Sequence, residues 1–365
     1  MQTRPVVPDY GGACVSNLVP ALLAHRDAGR GWVPDEVLDA RQVVVFVIDG
    51  LGARQLAQRA AVAPTLAALT VRSIDSVAPT TTATALTSIT TGTAPGEHGV
   101  IGYKIRVGGE ILNTLRWSSE QGDARTRIDP TELQPIGPFA GTRPPVISQA
   151  QFADSGFTAA HLRDGIYRPY WLASSIPVDV RQALDEGSRF VYAYYDGIDK
   201  VAHICGFGPH YDAELAFVDR LVADIAAALP TGAALVVTAD HGQVQVGDAM
   251  VALGEHTCAL TAAVSGEARF VWLHASSGRT DALEEAAAAE HGDVAWVVPV
   301  EQVLDEGWFG RVVSSDAAGR LGDVALVARE DVALVHPGRP GPKLQTRHGS
   351  LTPDEIEVPL MVALG

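Results

Sequence analysis

The chain has 365 residues, 47% of them hydrophobic, and carries 27 Lys and Arg against 43 Asp and Glu, a formal net charge of −16. That surplus of acid excludes binding polymeric nucleic acid or an anionic membrane through basic surface, but leaves room for a small phosphorylated substrate if positive charge is concentrated at one site. Cys14, Cys205 and Cys258 are too few and scattered for a disulfide framework, and no stretch reaches the roughly 18 apolar residues of a membrane span, so the expectation is a cytoplasmic α/β protein.

Residues 14–24 read as a short amphipathic helix. Val43–Ile48 are consecutive, mostly β-branched apolar residues, a strand buried on both faces as in a parallel sheet. The run ends at Asp49-Gly50. A carboxylate just past such a strand sits where open α/β sheets bind ligands, although Asp-Gly is also a common turn pair. The Gly50-x-Gly52 pair lacks the third glycine of a dinucleotide fingerprint. Helices are expected at 53–60 and 64–69 and a strand at 71–77, leading to Pro79-Thr80-Thr81-Thr82. From the threonines a helix of about ten residues runs to its stop at Gly92, and a hydroxyl at its N-terminus lies where an anion would rest.

Residues 102–150 are polar and rich in Pro and Gly. They are expected to form an irregular excursion on the substrate side, with Tyr103, Lys104, Arg106, Arg116 and Trp117 as candidate contacts. A strand is expected at 156–160 and a helix at 176–186. The apolar and aromatic strand that starts at Phe190 opens into Asp196, Asp199 and His203. The four-residue spacing puts Asp199 and His203 on one face of a helical turn, close enough to share a cation. Asp196 is either a third ligand or a turn residue.

A helix at 211–229 returns to the apolar strand from Ala234, which ends in Asp240-His241-Gly242. Three buried strands that end in carboxylates, two of them with a histidine, exceed what turn chemistry explains. Residues 250–345 change texture, with strands expected at 269–274, 294–299 and 324–329 and helices at 280–290 and 300–306. We read this as a small α+β cap inserted into a catalytic domain of residues 1–249 and 346–365. His348 follows the cap, and a last strand is expected at 358–363. The other histidines, His98 and His161 among them, read as structural or surface residues. Asp49, a threonine, Asp199, His203, Asp240, His241 and His348 suffice for two divalent cations. The mixed oxygen and nitrogen donors suit Zn²⁺ or Mn²⁺ better than Mg²⁺.

These motifs resemble the alkaline phosphatase superfamily, in particular its nucleotide pyrophosphatase/phosphodiesterase (type I phosphodiesterase) branch. The resemblance rests on Ile48-Asp49-Gly50, Pro79-Thr80-Thr81-Thr82, Thr91-Gly92, Glu97-His98-Gly99, Asp199-x-x-x-His203, Asp240-His241-Gly242 and His348-Gly349. It implies a mostly parallel central sheet with helices on both faces. It also implies Thr82 as nucleophile, one metal held by Asp49, Thr82, Asp240 and His241, and a second held by Asp199, His203 and His348. An alcohol oxygen is a poor nucleophile until a dication favours its ionised form, and its attack on phosphorus would give a phospho-threonine. Where this branch commonly places an asparagine on the phosphate, the chain has Tyr103, so Tyr103 or Lys104 is expected to replace it. A sulfatase reading fails, because the Cys/Ser-x-Pro-x-Arg segment is absent.

Thr81-Thr82-Ala83-Thr84 and His98-Gly99-Val100-Ile101-Gly102-Tyr103 are similar to segments of actinobacterial proteins that resemble cyclic-di-AMP phosphodiesterases. The resemblance implies a small-molecule nucleotide substrate, a cyclic dinucleotide such as cyclic-di-AMP. Tyr103, Trp117, Tyr167, Tyr170 and Trp171 are candidates to stack on adenine. The alternatives are a phosphonate hydrolase, a phosphomonoesterase or a non-catalytic phosphometabolite-binding protein. A monomer or small homo-oligomer is expected.

Overall fold

The computed structural model describes residues 4–338 and 341–365. Seven strands form the main sheet, in the order Thr70–Asp75, Glu357–Leu364, Ala233–Thr238, Gln42–Ile48, Phe190–Tyr195, Pro145–Gln149, Ile166–Tyr170. The five from Ala233–Thr238 to Ile166–Tyr170 run parallel, and Glu357–Leu364 runs antiparallel to both of its neighbours. The central strand is buried at every position from Val43 to Ile48, as its unbroken apolar run requires. Among the described residues no helix is long and apolar enough to cross a membrane.

Register decides where the chemistry can go. Val47 lies opposite Tyr194 on one side and Thr238 on the other. Asp49, Asp196 and Asp240 therefore all emerge just past the same end of three adjacent strands.

The helix Thr82–Thr91 is buried along its whole length, which is unusual for so many hydroxyls. Thr87, Thr90 and Thr91 resolve this by donating to the carbonyls of Ala83, Leu86 and Thr87, at 2.7, 3.0 and 2.7 Å. Thr81 takes the extended N-cap position, but its side chain makes no capping hydrogen bond. The helix stops at Gly92, whose φ of 71° is the left-handed conformation that glycine adopts without a Cβ penalty.

Two expectations are corrected. Residues 156–160 are not a strand. Gly156–His161 is a helix, because Ser155 Oγ accepts the Thr158 N–H at 3.0 Å and caps it. The 102–150 excursion is not irregular. It builds a small antiparallel sheet from Lys104–Val107, Glu110–Asn113, Ser118–Ser119 and Gly122–Asp123, and Pro145–Gln149 joins the main sheet. Strands this short fall below the length at which alternation can be read. The strands Ile166–Tyr170 and Thr261–Glu267 were not among those expected.

Thr261–Glu267 opens a second sheet, followed in order by Phe270–Ala275, Val324–Ala328 and Ala295–Pro299, every pair antiparallel. Alternate residues of one strand serve two cores. Phe270 and Trp272 join the main core, where Phe270 meets Trp308 edge-on at 6.1 Å. Val271 and Leu273 belong to a separate core with Leu283 and Ala287 of the helix Thr280–His291.

One ion pair ties this sheet to the main one. Arg269 and Glu355 are both fully buried and meet through two bonds of 2.8 Å. Arg269 also donates to the carbonyls of Glu330 and Val332, while Glu355 accepts from the Ser350 N–H and the Thr352 hydroxyl. Removing one partner leaves the other buried and uncompensated. Arg269→Ala should therefore lower the unfolding free energy by about 3 kcal/mol or more in urea titration. The exposed Arg181–Asp185 pair is the control, and Arg181→Ala should leave the urea midpoint nearly unchanged.

Candidate active site

Asp49 follows the central strand, Asp240 and His241 follow Ala233–Thr238, and Asp199 and His203 lie on the helix Gly197–Cys205. His348 and Thr82 complete the group. Thr82 Oγ1 stands 3.2 Å from His241 Nε2. His241 Nε2 is 3.5 Å from Asp49 Oδ1 and 3.4 Å from Asp240 Oδ2. His203 Nε2 is 3.3 Å from Asp199 Oδ1, and His348 Nε2 is 3.9 Å from the same oxygen. The rings of His241 and His348 are stacked, with centroids 3.7 Å apart.

The other nitrogen of each ring explains its orientation. His203 Nδ1 faces the Thr346 carbonyl at 2.8 Å, His348 Nδ1 the Thr80 carbonyl at 2.8 Å, and His241 Nδ1 the Gly242 carbonyl at 3.1 Å. A carbonyl only accepts, so each Nδ1 carries the proton and each Nε2 presents a lone pair. These lone pairs face carboxylate oxygens. Asp49 Oδ1, Asp199 Oδ1 and Asp240 Oδ2 are buried and have no hydrogen-bond partner among the described residues. Acceptor facing acceptor in a buried site is unfavourable unless a cation lies between them. Asp49, Asp240 and His241 form one triplet whose donor atoms lie within 4.8 Å of one another, and Asp199, His241 and His348 form another. His203 falls outside both triplets.

Electrostatics agree with that reading. Burial, followed by the charges of Asp240 and Asp199, holds the Asp49 carboxyl well above the usual range, and burial also raises Asp199 and Asp240. Burial pushes His241 and, further, His348 down, so the stacked rings are neutral. The Tyr194 hydroxyl donates to Asp49 Oδ2 and leaves Oδ1 as the free oxygen. The Gly50 and His241 N–H groups, each at 3.0 Å from Asp240 Oδ1, do the same for Asp240. The residues present fit divalent metal.

Beside Thr82, Asp49 and Asp199 lies a cavity of about 230 Å³. Its walls include Leu86, Leu115, Phe152, Phe157, His161, Leu162, Tyr192 and Lys200. His161 stacks on Phe157 at 3.9 Å, and Lys200 pairs with the buried Asp196 at 2.5 Å. Sequence reading assigned no role to most of these. The two available signals were the i, i+2 pairing of Tyr192 and Tyr194 on one strand face and the position of Lys200 directly after Asp199.

Neither Tyr103 nor Lys104 lines the cavity; Lys104 is exposed on the small sheet and Tyr103 is half-buried. Trp117 is fully buried, with its indole N–H on the Ile128 carbonyl, and Trp171 is exposed to solvent. Tyr103 instead lies beside Glu267 of the second sheet. Burial pushes the Glu267 carboxyl up to about 8, against the pull of the Thr81 hydroxyl and the Tyr103 backbone.

Fold and site together define a hydrolytic enzyme with an alkaline-phosphatase-like α/β architecture. The chain belongs to the type I phosphodiesterase / nucleotide pyrophosphatase family, whose model matches residues 43–351. Its structure is similar to murine ectonucleotide pyrophosphatase/phosphodiesterase 5, with a TM-score of 0.66 and 16% identity over 88% of each chain. An inactive variant of that murine protein, in complex with AMP, matches equally well. Phosphonoacetate hydrolase from Sinorhizobium meliloti, in complex with phosphonoformate, is similar at a TM-score of 0.63 and 18% identity, over 89% of this chain and 90% of that one. No curated protein matches the chain by sequence. Membership of that family makes this chain a hydrolytic enzyme.

Two outcomes follow from this geometry. Adding Mn²⁺ or Zn²⁺ to chelator-treated protein should raise its melting temperature, and Asp240→Asn should abolish most of that rise in the same thermal scan. For Glu267 the folded state keeps a proton that the unfolded chain releases near 4.5. Its contribution to stability is complete below pH 4.5 and lost as pH rises through about 8, so Glu267→Gln should flatten the fall in melting temperature across that window.

Proposed function

We propose that this protein is a divalent-metal phosphodiesterase that hydrolyses nucleotide phosphodiesters, with Thr82 as nucleophile and a cyclic dinucleotide such as cyclic-di-AMP as substrate. The observation that carries this reading is a set of three unpaired carboxylate oxygens facing three imidazoles, one of which, His241, stands 3.2 Å from the Thr82 hydroxyl. Asp49, Thr82, Asp240 and His241 would hold one ion, and Asp199, His203 and His348 the other. When bound, the ions supply positive charge that favours the ionised threonine oxygen and offsets charge developing on the phosphoryl oxygens.

The chain's own residues supply the rest. Thr82 is the first residue of its helix, so its oxygen sits among the unpaired N–H groups of the first turn, which attract an anionic phosphate. Thr80 holds the turn in place: its hydroxyl donates to the Ser350 carbonyl at 2.8 Å and accepts from the Gly349 N–H at 2.9 Å. Its carbonyl, in turn, orients His348. Attack by the Thr82 oxygen on phosphorus would expel one esterified alcohol and leave a phospho-threonine, which water then hydrolyses. The cavity beside Thr82 can take one planar ring of the substrate, with Phe152 and Phe157 in its wall.

Resemblance of the Thr81–Thr84 and His98–Tyr103 segments supports the cyclic dinucleotide. A phosphonate is the second reading. It is favoured by Lys200, whose side chain reaches the cavity wall from its pair with Asp196 and could be shared with a second anionic group on the substrate.

The test is a panel of cyclic-di-AMP, bis-p-nitrophenyl phosphate, p-nitrophenyl phosphate and phosphonoacetate, each with Mn²⁺ and with Zn²⁺. Diester turnover is expected, and turnover of phosphonoacetate alone would reverse the order of the two readings. Thr82→Ala should reduce diester turnover by more than about a thousandfold while the metal-induced thermal shift persists. Full activity in that variant would move the nucleophile to Thr81.

A further inference from the structure

Resting on the phosphodiesterase reading, the cavity beside Thr82 receives one esterified group of the substrate, and the polar atoms of its wall select that group. Most of them are already committed. Asp49, Asp199 and Thr82 belong to the metal centre, and Lys200 pairs with Asp196. The Ser155 hydroxyl bonds Thr158, the Thr158 hydroxyl donates to the Phe152 carbonyl, and the Tyr194 hydroxyl donates to Asp49. Ser148 meets the Tyr167 hydroxyl, and the Tyr192 hydroxyl, which has no partner, is sealed from open space. Among the described residues of the wall, that leaves Nε2 of His161.

The local geometry turns this atom towards the cavity. Phe157, Thr158, His161 and Leu162 all line it, so one face of the helix Gly156–His161 is its wall. His161 is only 4% exposed and is closed in on its other sides. Its Nδ1 faces the Phe157 carbonyl one turn back, at 2.7 Å, and so carries the proton. The Nε2 lone pair lies in the ring plane at the opposite edge, pointing away from the helix backbone. Nε2 has no hydrogen-bond partner among the described residues, and it is not one of the sealed polar atoms. The stack on Phe157, at 3.9 Å and 20°, together with the Nδ1 bond, holds the ring in this orientation.

Burial pushes the His161 pKa down to about 4, so at neutral pH the ring is uncharged and Nε2 is an acceptor. A fixed acceptor in a largely apolar pocket rewards a group that brings an N–H and disfavours one that leaves it bare. Leu86, Leu115 and Phe157 offer apolar surface to the faces of a planar ring, which puts the donor at the ring's edge. We infer that His161 is a specificity-determining residue whose Nε2 accepts a hydrogen bond from an amino group at the edge of a heteroaromatic ring, carried by the nucleoside esterified to the substrate phosphorus.

The test compares the p-nitrophenyl esters of adenosine 5′-phosphate and of purine riboside 5′-phosphate, which differ only in that amino group and release the same chromophore. The wild-type enzyme should prefer the adenosine ester by about tenfold in kcat/KM, mostly through KM. His161→Phe keeps a flat ring without the acceptor and should bring the preference close to one. If its melting temperature shows that it fails to fold, His161→Leu takes its place. No preference in the wild type, or a preference that survives in the folded variant, overturns the inference, while diester turnover itself still stands. If neither ester is cleaved, the phosphodiesterase reading fails separately. The inference is then decided by calorimetric binding of adenosine 5′-phosphate against purine riboside 5′-phosphate, where selectivity absent from the wild type, or unchanged in the variant, overturns it.

Discussion

The site depends on a proton placed in the same way three times. His203, His241 and His348 each face a backbone carbonyl with Nδ1, and that single contact decides which nitrogen is left to act. With the tautomers fixed, the Nε2 lone pairs turn towards carboxylate oxygens that are themselves unpaired. Such a cluster is electrostatically incomplete in a protein interior, and its incompleteness is what gives it affinity for a cation. The backbone segments that carry those carbonyls are therefore as much a part of the centre as the side chains.

Holding those segments is the task of the second sheet and the buried pair. Arg269 reaches from the second sheet to Glu355, and Glu355 in turn fixes the Ser350 N–H two residues beyond His348. Thr80 closes the same circuit from the other side, since its hydroxyl binds Gly349 and its carbonyl orients the imidazole of His348. The turn carrying Thr82 and the turn carrying His348 are thus hydrogen-bonded to each other directly. A change in either one is transmitted to the other without passing through the sheet.

The main fold and the cluster of acids and histidines were legible in the sequence for a shared reason. A central parallel strand is marked by an unbroken β-branched run, and the carboxylate after it stands out against that background, as at Asp49 and Asp240. The cavity had no such mark. Its walls come from Leu115, the 148–162 segment, Tyr192 and Lys200, which are ordinary residues drawn together only by tertiary packing. Of the aromatics singled out in the sequence, Trp117 is buried in the core and Tyr170 bonds the carbonyl of Tyr194, two strands away. The helix at Gly156–His161 was missed because five apolar and small residues fit either period, and Ser155 as a cap settled the choice.

The strand Glu357–Leu364 lies inside the sheet, between Thr70–Asp75 and Ala233–Thr238. Both of the strands that flank it are synthesised before it. Thr70–Asp75 has no other partner in the sheet, so during synthesis that edge waits unpaired while nearly 300 residues emerge (about 15–60 s at typical elongation rates). His348 emerges only shortly before it. A chain that stops short of His348 and Glu357–Leu364 therefore holds neither a finished sheet nor a finished site.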